Sequence, residues 1–110
     1  MRVFENRTAV ITGGGTGVGA AVALALAKAG ASVHLIGRRL DKLQTTAAKA
    51  RNLGSHAVCY IGDLAADSSQ LELTQRLIRD LPHIDILIQN AATFPDRIAD
   101  GLFGRACERL

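Results

Sequence analysis

Apolar residues along this chain come in short, nearly unbroken runs, and between them lie longer stretches whose apolar positions recur at helical spacing. Residues 7–12 (RTAVIT) form the first run, rich in β-branched side chains and closed by Gly13, Gly14 and Gly15. Residues 16–29 then read as a helix of Ala, Val and Leu, apolar nearly all round, with Gly30 where a helix C-terminal glycine belongs. A second run covers 32–36. Asp41 is placed to open a second helix whose Leu40, Leu43, Ala47 and Ala50 share one face, and which finishes near Asn52 to Gly54. Residues 56–61 make a third run. Asp67 with Gln70 three residues on has capping-box spacing, and Leu71, Thr74, Leu77, Ile78 and Leu81 form the stripe of a third helix that Pro82 ends. Residues 84–88 are the fourth run, apolar except for Asp85. The order is therefore β-α-β-α-β-α-β. Strands that are continuously apolar rather than alternating are buried on both faces, which predicts an α/β domain: a parallel sheet with helices above and below.

Composition narrows this further. The chain has 110 residues, of which 48% are hydrophobic but only 4% aromatic, so small and aliphatic side chains must build the core, as where helices pack closely on a sheet. Cys59 and Cys107 stand far apart without a CxxC or Cys/His cluster, and read as reduced thiols of a cytoplasmic protein. The net charge of +3 suits an anionic ligand, but Arg38, Arg39 and Lys42 carry no interleaved aromatics and do not point to nucleic acid. The charged start is no signal peptide, and the charge-free stretch from Thr8 to Ala27 holds a glycine cluster that a lipid-spanning helix would not tolerate. His34, His56 and His83 lack metal-ligand spacing and read as core or strand-end residues, so no metal site is expected. The whole chain is read as one domain. Its tail from Phe94 permits a helix through Ile98, Leu102, Arg105 and Arg109, which Gly101 and Gly104 weaken.

The chemistry lies in Thr12-Gly13-Gly14-Gly15-Thr16-Gly17-Val18-Gly19, between the first strand and the first helix. Glycines there allow a tight turn, let the main chain approach a pyrophosphate, and bring the helix close to the strand, while the helix N-terminus presents free N–H groups to the anion. Two registers fit: Gly15, Gly17 and Ala20 as GxGxxA, and Gly13, Gly17 and Gly19 behind Thr12 as TGxxxGxG. The second resembles the motif of the short-chain dehydrogenase/reductase family. Asp63-Leu64 after the third strand resembles that family's acidic adenine contact, and Gln89-Asn90-Ala91-Ala92 after the fourth resembles its NNAG motif. These matches run in order from residue 7 to residue 92. The resemblance implies a Rossmann-like, doubly wound, three-layer fold with strand order 3-2-1-4, and a dinucleotide bound by these segments.

An NAD site usually carries a carboxylate at the end of the second strand for the ribose hydroxyls; here Gly37, Arg38 and Arg39 stand there. A guanidinium holds a 2′-phosphate through paired charge-assisted hydrogen bonds, so NADP is expected rather than NAD, with Arg38 taking the larger share. The alternative for both arginines is a solvated pair at a helix start. Asp63 and Asn90 also have an alternative reading, as strand-end turn residues.

The resemblance implies further residues this chain does not show. In that family a tyrosine, with a lysine four residues later and a serine, donates the proton to the developing alkoxide. The single tyrosine, Tyr60, is followed four residues on by Leu64, so it cannot take that role and no catalytic residue is assigned. The catalytic set is expected beyond Leu110, in a longer enzyme of which this chain is a fragment or truncated form. An altered tail and a short protein that pairs with a partner are the other possibilities. Two functions compete: an NADP-dependent oxidoreductase acting on a small carbonyl or alcohol, and a non-catalytic dinucleotide-binding module. Full-length members of the family imply a homodimer or homotetramer.

Overall fold

The computed structural model describes residues 3–13, 15, 17–62 and 67–89, with the backbone alone for 67–70. Its elements run β1 (Thr8–Thr12), α1 (Gly17–Lys28), β2 (Ser32–Gly37), α2 (Leu40–Asn52), β3 (Ala57–Ile61), α3 (Asp67–Asp80) and β4 (Ile86–Gln89). The four strands form one sheet in the order β3-β2-β1-β4, every neighbouring pair parallel. The α/β class, the doubly wound sheet and the strand order are thus as expected.

Alternation along the strands divides the core in two. Ala9, Ile11, Val33, Leu35 and Ala57 face α1 and α2, whereas Val10, Ile36 and Tyr60 face α3. On the first side the packing is built from small residues: Gly19, Ala23 and Ala27 are the buried positions of α1, spaced four apart, so its backbone lies close on the sheet. Leu43, Ala47 and Ala50 do the same for α2. On the other side Leu73, Leu77 and Leu81 fill the space over β1 to β3.

α1 and α2 end alike. Gly30 (φ 104°) and Gly54 (φ 89°) adopt left-handed backbone. The N–H of Gly30 donates to the Ala27 carbonyl and that of Ala31 to Leu26; in α2, Gly54 donates to Arg51 and Ser55 to Ala50. This pair of reverse bonds satisfies carbonyls the helix leaves open and turns the chain into the next strand.

The sequence expectations need four corrections. α2 starts at Leu40, and its N-cap is Arg39 with no side-chain bond to the helix, so Asp41 lies in the first turn instead of opening it. Leu40 itself is 45% exposed, being too near the helix end to reach the sheet. In α3 the buried line is Leu73, Leu77 and Leu81; Leu71, assigned to the stripe, points away and is 57% exposed. β4 starts at Ile86, because Asp85 is drawn to Thr8: its carboxylate accepts the Thr8 N–H at 2.8 Å. The expected Asp67 cap and the tail from Phe94 fall outside the described side chains and residues.

Candidate functional site

Every parallel strand points its carboxyl end the same way, so Thr12, Gly37, Ile61 and Gln89 lie along one edge of the sheet. The chain leaves β1 to build β2 and β3 on one side and returns to place β4 on the other. Such a reversal opens a crevice above β1, which is where ligands of open parallel sheets bind.

The glycine loop crosses that crevice. Thr12 is wholly buried and its Oγ1 donates to the Ile88 carbonyl at 3.4 Å, so it ties the ends of β1 and β4 together and would act on a ligand only by holding the loop. Gly13 (φ 68°) turns its N–H onto the Ile36 carbonyl at 2.8 Å, fixing the loop to β2. Gly15 meets the second helix: a Cβ there would lie 2.8 Å from the Lys42 Cβ and 3.3 Å from the Leu43 nitrogen. Gly17 differs from it. Its φ of +57° is costly for any other residue, yet a Cβ built on it meets nothing within 4 Å. Among the described residues the loop therefore leaves open space at the first residue of α1. Val18 projects from the first helical turn, 70% exposed, while Gly19 is buried against the sheet.

Next to this loop, Gly37 ends β2 and packs on Leu43. Arg38 and Arg39 are exposed. Arg39 Nη2 lies 3.5 Å from Asp41 Oδ2, whereas Arg38 has no partner among the described residues. Thr16, Asp63, Leu64, Asn90, Ala91 and Ala92 lie outside the described residues. Gly62, whose N–H donates to Gly37 at 3.1 Å, and Gln89 are the last described residues before Asp63 and Asn90, and both lie at the same edge of the sheet.

Away from this edge the polar side chains serve the core. Tyr60 is buried, and its hydroxyl lies 3.4 Å from His34 Nδ1 and donates to Asp80 Oδ2 at 3.5 Å, with the Arg76 guanidinium 5.2 Å over its ring. Burial, then the Asp80 charge, pushes the Tyr60 hydroxyl up to about 12, partly opposed by Arg76. Burial and the neighbouring His56 lower His34 to about 4 against the pull of Asp80, so it is neutral at ordinary pH. Tyr60 is thus a core residue with no access to a reacting carbonyl. Burial also raises the Cys59 thiol, opposed by Arg51, which leaves it a poor nucleophile. Among the described residues no group of His, Cys, Asp or Glu could hold a metal, and no helix is long and apolar enough to cross a membrane.

Sequence reasoning missed what Gly15 and Lys42 do together. Counting glycines assigns Gly15 to the ligand, although its tightest neighbour is α2. Only the helix-to-loop packing shows it.

The fold agrees with what known proteins show. The short chain dehydrogenase family model matches residues 7–106, and the chain belongs to that family. It is 36% identical over 88 residues to mouse dehydrogenase/reductase SDR family member 1, an overlap covering 79% of this chain and 28% of that protein. It is 31% identical over 90 residues to the peroxisomal 2,4-dienoyl-CoA reductase of Arabidopsis thaliana, covering 82% and 30%. L-Sorbose reductase from Gluconobacter frateurii, solved with NADPH and L-sorbose, superposes with a TM-score of 0.86 at 25% identity, covering 99% of this chain and 51% of that one. The chain thus spans under a third of the length of these curated relatives.

Proposed function

We propose that the chain is the cofactor-binding half of an NADP(H)-dependent oxidoreductase that moves a hydride between the nicotinamide and a small carbonyl or alcohol substrate. The observation that carries the choice of NADP is Arg38: an exposed guanidinium one residue beyond β2, without a carboxylate among the described residues to neutralise it. The open space at Gly17 fits a pyrophosphate close to the main chain, with the first N–H groups of α1 and the positive end of its dipole facing the anion. Gly13, Thr16, Val18 and Gly19 would complete that cradle; Thr12 and Gly15 hold it from behind. Gly37, Arg38 and Arg39 would surround the ribose phosphate. Asp63 and Leu64 would contact the adenine, and Asn90, Ala91 and Ala92 would line the path towards the nicotinamide.

A nicotinamide held there supplies or accepts the hydride. This chain's own residues bind and orient the dinucleotide; the proton that accompanies hydride transfer does not come from Tyr60, which the core encloses. That placement also favours a second reading, binding of the dinucleotide without turnover. Small-molecule substrates and a homodimer or homotetramer belong to the same proposal by likeness to family members, and a cytoplasmic setting by the reading of Cys59 and Cys107 as reduced thiols.

Arg38→Asp tests it. The carboxylate would repel a 2′-phosphate and accept hydrogen bonds from a free ribose, so the ratio of NADPH to NADH affinity should fall roughly 30-fold or more, about the effect of losing one charge-assisted contact. Calorimetric titration of both cofactors gives that ratio directly. A ratio unmoved by the substitution would remove the basis for NADP.

A further inference from the structure

Lys42 is a charged residue that packs against the glycine loop and that the family motif does not explain. It sits in the first turn of α2, with its Cβ 2.8 Å from where a side chain on Gly15 would start. Lys42 is half-buried, and its Cβ faces the glycine loop at Gly15. A cation in the first turn is on the wrong end of the helix dipole, where an acidic residue is favoured. The one acidic residue of that turn, Asp41, pairs with Arg39 instead, and Lys42 has no carboxylate partner among the described residues. The position thus combines a small electrostatic penalty with tight packing, a conflict typical of residues kept for a ligand.

We infer that Lys42 is a specificity-determining residue for the 2′-phosphate of the adenosine ribose, binding it from the α2 side as Arg38 does from the end of β2. This rests on the NADP reading given above and adds to it a second cation that the glycine motif does not predict. The two cations suit different tasks. The guanidinium of Arg38 is a planar fork for two phosphate oxygens, while the ammonium of Lys42 is a compact charge on a flexible stem. An anion at that point also reverses the penalty Lys42 imposes on α2. Arg39, held towards Asp41, is the lesser contributor of the three.

Lys42→Met keeps a stem of similar length against Gly15 and removes the charge. Calorimetric titration of the protein with NADPH, NADH, adenosine 2′,5′-bisphosphate and AMP should show the NADPH-to-NADH affinity ratio falling roughly 5- to 20-fold, as for one partly solvated charge contact. The ratio for the two adenosine nucleotides should fall alongside it. Lys42→Arg should restore most of both ratios, and the gap between the Met and Lys forms should narrow as salt is raised. Unchanged ratios in Lys42→Met, or equal loss of all four ligands, would overturn the role of Lys42 while leaving the NADP reading intact. An unmutated protein that takes NADH in preference to NADPH would overturn both, and one that takes neither would overturn the site itself.

Discussion

The two edges of this sheet are built from the same strands and are opposites in how they treat polar groups. At the amino edge most polar groups of the described residues find partners within the chain, His83 Nδ1 being the buried atom without a well-formed hydrogen bond. Asp85 accepts the Thr8 N–H at 2.8 Å, lies 3.4 Å from Arg7 Nη1 and 2.7 Å from His83 Nδ1, and sends its own N–H to the Thr8 carbonyl. Helices α1 and α2 arrive there with their carbonyls closed by Gly30 and Gly54, and the Ser55 hydroxyl donates to Ala31 at 2.7 Å. At the carboxyl edge the helices begin, and α2 has no side-chain cap. Among the described residues Arg38 and Lys42 find no carboxylate there, and Gly17 leaves space that nothing described fills. The comparison separates stability from binding. An edge that satisfies itself holds the fold, while one left open can be completed by an anion.

The largest effect expected from breaking this division is at Gly17. Gly17→Val puts a branched side chain into the open space and a β-branched residue at φ +57°. Binding of NADPH and NADH alike should fall by more than about 100-fold, since the loss covers most of the pyrophosphate contact. Backbone strain of roughly 1–3 kcal/mol would accompany it. A circular dichroism melt shows whether the fold survives, and Gly17→Ala supplies a milder variant in case it does not. Either variant binding both cofactors normally would show that the loop is not the site.

A second effect lies in the buried polar cluster on the α3 side, where His34 is faced by Tyr60 from β3, His56 from the turn before it and Asp80 from α3. The folded His34 titrates at about 4 and an unfolded histidine near 6.5. Between those values the unfolded chain binds a proton the folded chain does not. Stability is therefore full above about pH 6.5 and declines as pH falls towards 4, by about 3 kcal/mol at most. Urea denaturation at a series of pH values should show that decline, and His34→Asn should flatten it. A flat profile in the unmutated protein would contradict the burial argument.

How far these features were legible differs between the edges. The hydrophobic runs placed all four strands within two residues, because strands buried on both faces have no competing pattern. The glycine spacing located the carboxyl edge, since an open loop before an Ala-rich helix needs those residues locally. Leu71 and Leu40 were misassigned because a helix of three or four turns offers several overlapping apolar stripes, and only the sheet decides which one is buried. The packing of Gly15 was not legible for a related reason: a glycine required by a helix packed over the loop looks in sequence like one required by a ligand. The Asp85 cluster was least legible. A lone aspartate in an apolar run gives no sign that Thr8, 77 positions earlier, is its partner.

Asp85 therefore gives the smallest and most discriminating test of the comparison. Partial burial works to raise its carboxyl, but the Thr8 N–H, then His83 and Arg7, hold it below the ordinary carboxylate range. Its contribution is present above the usual carboxylate value near 3.8 and is lost as pH falls through the lower folded value, on the acid side of the His34 window. Asp85→Asn retains an oxygen for Thr8 and removes the charge, so it should cost about 1 kcal/mol at pH 7, seen as a lower urea midpoint with an unchanged slope. Because the described partners of Asp85 all lie at the amino edge, the ratio of NADPH to NADH affinity should not move. The two sites share no partner among the described contacts, and distant sites without shared partners are independent to within a few tenths of a kcal/mol. A shifted cofactor ratio in Asp85→Asn would mean that the sheet couples its two edges and that stability and binding are not separately built.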